Sequence, residues 1–210
     1  MKKTIRLTES DLTRIIKHIV NEQSQGESEF IQRVVERYHI SDEIKNEIIS
    51  TIKNSECKNI TFEPMRMGEG LSLGDRLVIN PSTLNYSLGR FLFILFHEMA
   101  HQYQFKKYGQ EKMLELYNNE IDIKDAAKFM MSVENVADEF AVRKMNNIQR
   151  RGLIELIPSD TRKGYDRVTL GMLEQMISMF RNQLSMNNIR GSKNISEFLY
   201  NMVIINQGRN

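Results

Sequence analysis

Apolar positions along the chain fall into stripes at helical spacing, broken by one short region of strand-like character. Leu12, Ile15, Ile16 and Ile19 recur at three- and four-residue intervals and predict an amphipathic N-terminal helix within residues 1–22. Thr8 is placed to cap it, Asp11 lies near its first-turn amides, and Leu7 can staple onto Leu12. The polar segment 23–28 that follows has the composition of a flexible linker, which leaves 29–210 as the main domain. Two scaffold helices are predicted next, over 28–38 (Phe30, Ile31, Val34, Val35, Tyr38) and over 42–54 (Ile44, Ile48, Ile49, Ile52), the second capped by Ser41. Residues 59–63 and 71–80, separated by a Pro- and Gly-containing stretch, carry the β signal and predict a small antiparallel sheet.

A long helix is predicted to begin at Pro81-Ser82, with Asn80 or Ser82 as cap, and to run to Tyr108-Gly109. Its segment 91–96 is apolar on every side, the pattern of a helix through the centre of a domain. A further helix is expected over 123–147. A turn-rich stretch around 158–166 precedes a helix carrying Leu170, Leu173, Met176, Ile177, Phe180 and Leu184 on a core-facing side, and a last helix covers 195–205. The pattern predicts an α+β, predominantly helical fold with a small sheet directly before the long helix. Its core spans about residues 59–148, and its C-terminal helices lie within about 166–206.

Composition narrows the class. A chain of 210 residues with 40% hydrophobic content can bury one medium core. Its formal charge is only +2, from 29 basic and 27 acidic residues, so no bulk field draws it to nucleic acid or an anionic membrane. Cys57 is the single cysteine; it can form neither an internal disulfide nor a cysteine-based zinc ribbon and reads as an ordinary thiol near a strand. No run approaches the roughly 20 apolar residues of a membrane span, and no apolar core follows Lys2 and Lys3. These features predict an intracellular protein, or one carried in a particle assembled inside a cell.

The candidate chemistry lies at the end of the apolar run, in His97-Glu98-Met99-Ala100-His101. Residues four apart on a helix share a face, so His97 and His101 can offer two imidazole nitrogens to one metal ion. Glu98 then borders the open side of that ion as a general base for water. With 4 His and 19 Glu in the chain, about 0.007 such matches arise by accident, which makes chance a poor explanation. The competing reading is a buried helix whose two histidines are satisfied by hydrogen bonds.

Catalytic zinc takes three protein ligands and keeps a position for water. No histidine follows His101 and the only cysteine is upstream, so a downstream third ligand has to be a carboxylate. On the helix predicted over 123–147, Glu134, Ala137, Asp138 and Ala141 share one face. The alanines allow a close approach to the His97 helix, which favours Glu134 as ligand, with Asp138 accepting a hydrogen bond from the distal nitrogen of a zinc-bound histidine. Glu139 points away. Two alternatives stay open: a swap of roles between Glu134 and Asp138, and a charged surface pair. His39 reads as a turn or surface histidine and His18 as exposed. Tyr165 and Arg143 are two of several candidates for stabilising an oxyanion.

The His97-Glu98-x-x-His101 motif followed by Glu134-x-x-x-Asp138 resembles the gluzincin arrangement of zinc metallopeptidases. The Glu134-x-x-Ala137-Asp138-x-Phe140-Ala141 form is similar to the small ImmA/IrrE-type peptidases. Ile79-Asn80-Pro81 leading into the His97-Glu98-Met99-Ala100-His101-Gln102-Tyr103 helix resembles SprT-like and phage-encoded peptidases, and the opening residues resemble the start of assorted phage-encoded proteins. The main likeness covers about residues 70–145. It implies a zincin-like fold, Zn2+ held by His97, His101 and Glu134, and Glu98 as general base. SprT-like enzymes commonly use a third histidine and some add a cysteine-rich ribbon; this chain has neither.

The function expected is therefore a zinc-dependent endopeptidase acting on a protein or peptide substrate, with a protein partner possible for the N-terminal helix. A strand edge before the metal helix can pair with an extended peptide. Competing functions are a zincin-fold binding or structural module without turnover, and a regulatory protease acting on a DNA-associated partner. Near-neutral charge and the lack of a helix-turn-helix signature argue against direct DNA binding.

Overall fold

The computed structural model describes residues 29–55, 57, 59–161 and 169–205. The predicted N-terminal helix, the linker, His18 and Tyr165 lie outside these residues. The chain is predominantly helical, with a small three-stranded mixed sheet. The first helix, α1, covers 29–38 and buries Phe30, Ile31 and Val34. His39 follows with φ 50°, exposed in the turn. Helix α2 (Asp42–Ser55) buries Ile44, Ile48 and Ile52, and the amide of Ile44 donates to the Ser41 hydroxyl at 3.4 Å. Strands β1 (Asn59–Phe62), β2 (Gly70–Ser72) and β3 (Arg76–Ile79) come next.

The sheet corrects the expected antiparallel one. Its order is β1-β3-β2, with β1 parallel and β2 antiparallel to β3. Leu77, Val78 and Ile79 of β3 are all fully buried, and a strand apolar on both faces belongs in the middle. The weaker Gly70-Leu71-Ser72 strand takes the edge. A tight turn at Gly74 (φ 89°) joins β2 to β3, a conformation that favours glycine.

The long helix also starts later than expected. Pro81–Asn85 forms a separate 3-10 turn capped by Asn80, and α3 (Leu88–Tyr108) begins only after Ser87, whose hydroxyl accepts from the Arg90 amide. The break holds because Ser87 supplies a second cap and its hydroxyl also donates to buried Asp160. A β-carbon at Gly89 would lie 2.3 Å from Asp160 Oδ2, so glycine lets this carboxylate approach the positive end of α3. At the other end Gly109 (φ 81°) closes the helix onto Phe105. Helix α4 (Gln110–Leu114) and a 3-10 turn (Glu115–Tyr117) lead to α5 (Ile123–Arg150), capped by Asp122. Helices α6 (Leu170–Met186) and α7 (Ser192–Val203) complete the fold. On α6, Leu173, Ile177, Phe180 and Leu184 are buried as expected, whereas Leu170, its first residue, is exposed.

Helices α3 and α5 run antiparallel as the spine between two apolar regions. The first half of α3, 91–96, and the second half of α5, through Ala141, Met145 and Ile148, pack with α1, α2 and the sheet. The second half of α3, through Phe105, packs with Met113, Leu114, Phe180 and Leu199. The first half of α5, through Ala126 and Ala127, meets Leu173 and Ile177. His97, His101, Glu134 and Asp138 lie mid-helix, at the seam between these regions. Among the described residues no helix is long and apolar enough to cross a membrane.

Candidate metal centre

Helical spacing on α3 turns Ile94, His97, His101 and Phe105 toward one cleft, and α5 presents Glu134, Ala137, Asp138 and Ala141 against it. Ala137 and Ala141 are fully buried, and their small side chains let the two helices approach. Glu139 is exposed. The approach brings His97 Nε2 to 3.1 Å from Glu134 Oε2, and His101 Nε2 to 3.5 Å from the same oxygen. The two Nε2 atoms are 3.1 Å apart. Among the described residues, His97, His101 and Glu134 form the one group of three such donors, all within 4.8 Å of one another, that could hold a metal ion.

The hydrogen bonds behind the rings decide what those donors are. His97 Nδ1 lies 2.8 Å from Asp138 Oδ1, and a carboxylate only accepts, so Nδ1 carries the hydrogen. His101 Nδ1 lies 2.8 Å from Gln104 Oε1. The amide nitrogen of Gln104 donates to the Val133 carbonyl at 2.9 Å, which turns its oxygen toward His101. In the neutral rings both Nε2 atoms therefore present lone pairs to each other and to a carboxylate oxygen. Three acceptors this close repel unless a cation lies among them, and two imidazoles with one carboxylate could hold a metal ion. The residues fit such an ion.

In the metal-free chain protons meet the same demand. Burial alone pushes His97 down, but hydrogen bonds to Asp138 and Glu134 overturn this and hold it at about 10. Burial pushes Glu134 up, yet His101 and His97 hold it at about 2. A divalent ion on these donors competes with those protons.

Glu98 is half-buried in the same cleft. Burial raises its carboxyl above the ordinary range against the pull of His101 and His97. Its side chain lies against the backbone of β2: a β-carbon at Gly70 would fall 2.4 Å from Glu98 Cγ and 2.8 Å from Oε1. Gln102 ties both β2 and β3 to α3, donating to Ser72 Oγ at 2.8 Å and to the Arg76 carbonyl at 2.9 Å. Beside the start of β2, Arg90 pairs with Glu69 at 2.9 Å.

Glu134 and Asp138 are buried, so they are not a charged surface pair. Glu134 faces both imidazoles while Asp138 meets only His97. Arg143 is exposed and does not line the cleft. Gln104 and Gly70 are additions to the expected site. Gln104 follows His101 by three residues, so helix spacing could have pointed to it; Gly70 carried no signal. The chain matches no protein-family model, no curated protein and no solved structure.

Proposed function

We propose that the chain is a zinc-dependent endopeptidase. The observation that carries this reading is the convergence of His97 Nε2, His101 Nε2 and Glu134 Oε2 within 4.8 Å, in a cleft that also holds Glu98 and a strand edge. His97, His101 and Glu134 hold the ion; Asp138 and Gln104 fix the ring orientations and keep both Nε2 atoms free as ligands. When bound, zinc supplies a Lewis acid that brings the pKa of water close to neutrality and polarises a carbonyl.

The chain's own groups do the rest. The β2 edge, with Gly70, Leu71 and Ser72 along the cleft, offers backbone hydrogen bonds to an extended peptide. The Glu98 carboxylate takes one proton from the attacking water as its oxygen bonds to the peptide carbonyl carbon. Glu98 then gives that proton to the departing nitrogen as the carbon–nitrogen bond breaks. Close packing of Glu98 on Gly70 holds the carboxylate between strand and donors through both transfers.

The test is Glu98→Gln in the zinc-loaded full chain, with labelled casein as substrate. Cleavage is expected to fall about 10²- to 10⁴-fold with zinc content unchanged. Full activity in the variant overturns the general-base role. A wild-type chain that binds zinc and cleaves nothing overturns the enzyme reading in favour of a binding module.

A further inference from the structure

The cleft that holds His97, His101 and Glu134 is a cavity of about 340 Å³ in all and extends past these ligands, at the small end of ligand pockets of roughly 300–1,000 Å³. Its two ends differ chemically. Near β2 the charged groups Arg90 and Glu69 compensate each other. Past His101 the wall is built from Leu73, Phe105, Met113, Leu114, Met130 and Leu199. Leu73, Phe105, Met113, Leu114 and Leu199 belong to one packed apolar cluster, so the wall is part of the core rather than a loose surface.

A second cavity of about 910 Å³ lies beyond, lined by polar residues including Glu111, Lys112, Asn118 and Arg190. Leu114 and Tyr117 line both spaces, so they form the partition between an apolar pocket and a polar one. The partition is braced from α6. Buried Arg181 donates through Nε and Nη2 to the Leu116 carbonyl at 3.1 and 2.8 Å, and through Nη1 to the Ile121 carbonyl at 2.9 Å.

We infer that the substrate carries a large aliphatic side chain next to the bond that is cleaved, and that Leu114, backed by Tyr117, sets how long that side chain can be. The inference rests on the endopeptidase reading for the reaction but not for the pocket. A wall whose own side chains (Leu73, Phe105, Met113, Leu114, Met130 and Leu199) are all apolar gains from burying leucine or methionine and offers aspartate or lysine no partner for the water they would lose. Leu114 and Tyr117 stand between this space and the second cavity, so they limit the length of an entering side chain, and removing Leu114 opens the pocket into the space behind.

The test uses blocked heptapeptides of alanine with one central residue X (Leu, Met, Trp, Ala, Asp or Lys). Cleavage is read by mass spectrometry on the zinc-loaded full chain. Binding of the same fluorescein-labelled peptides is read by anisotropy on the zinc-loaded Glu98→Gln chain, with Leu114→Ala and half-buried Met130→Ala introduced in both formats. Leu and Met are expected to exceed Asp and Lys by at least about tenfold in both readouts. Leu114→Ala should move the preference toward Trp by a similar factor, and Met130→Ala should widen the pocket in the same direction should Leu114→Ala fail to fold. Binding with the aliphatic preference but no cleavage supports the pocket and sinks the endopeptidase reading. Cleavage indifferent to X, a preference for charge, a profile that neither variant moves, or no binding and no cleavage overturns the pocket.

Discussion

The two walls of the cleft are built on opposite principles. One is the α3–α5 pair, where regular helix spacing and two fully buried alanines deliver His97, His101, Glu134 and Asp138 to one place. The other includes the segment 109–121, a short helix and a 3-10 turn that bring Met113, Leu114 and Tyr117 to the cavity, with the Leu116 and Ile121 carbonyls held by buried Arg181. Positions on the first wall follow from backbone geometry, so the ligands are preorganised by packing. Positions on the second depend on a few polar contacts, so that wall can change without disturbing the donor groups on the first. Under the proposed function, this difference makes chemistry and selectivity separable.

The sharpest way to break this contrast is to spoil the first wall. Ala137, fully buried between Glu134 and Ala141, has no room for added methylenes. Ala137→Leu is expected to cost about 1–3 kcal/mol through overpacking and to lift Glu134 away from the imidazoles. Zinc affinity should fall about 10- to 100-fold, the range that follows loss of groups orienting metal ligands. Denaturant unfolding and competitive zinc titration measure the two effects. A folded variant with native zinc affinity would show that close packing does not set the ligand geometry.

The first wall was also the readable one. The four-residue separation of His97 and His101, the face shared by Glu134 and Asp138, and the small alanines between the helices are local features of sequence, and the structure keeps them on one cleft. The sheet was less readable because strands of three or four residues do not declare their order. Which strand is central depends on the burial of Leu77, Val78 and Ile79 on both faces, a tertiary fact. The expected helix start took Asn80 or Ser82 as its cap and passed over Ser87, whose contact with Asp160 at the true start of α3 spans 73 positions. The partition was invisible for the same reason. Leu73, Leu114, Met130 and Leu199 come from four distant segments, and nothing in their spacing shows that they enclose one space.

Spoiling the second wall sharpens the comparison from the other side. Arg181 is 7% exposed and makes three hydrogen bonds to backbone carbonyls. Arg181→Met keeps much of the apolar stem but leaves the Leu116 and Ile121 carbonyls without these donors. A loss of about 1–3 kcal/mol is expected, with faster amide exchange across 115–121 and zinc affinity unchanged. A large fall in zinc affinity would mean that the two walls are coupled and that the contrast drawn above is wrong.

The smallest effect is expected at the far end of α5, where charge is added to the apolar packing of the same helix on α2. Lys144 Nζ lies 2.8 Å from Glu47 Oε1 and 3.1 Å from Thr51 Oγ1, and Arg151 reaches Glu47 Oε2 at 3.2 Å. The hydrogen bond from Lys144 holds the Glu47 carboxyl below its ordinary value against the opposing push of burial, and the charges of Lys144 and Arg151 add to it. A carboxyl depressed in the folded state binds its proton more weakly there than in the unfolded chain. Its contribution is therefore complete above the unfolded value of about 4.3 and disappears as pH falls through the lower folded one. Because the pair is partly exposed, Glu47→Gln should cost only about 0.5–1 kcal/mol at neutral pH, measured as a shift in the denaturation midpoint. The gap between wild type and variant should close in acid, and zinc affinity should stay the same at every pH where the site binds. A gap that persists in acid would assign the stabilisation to the shape of the Glu47 side chain rather than its charge. A change in zinc affinity would show that strain at this end of α5 reaches Glu134, two turns and more away along the same helix.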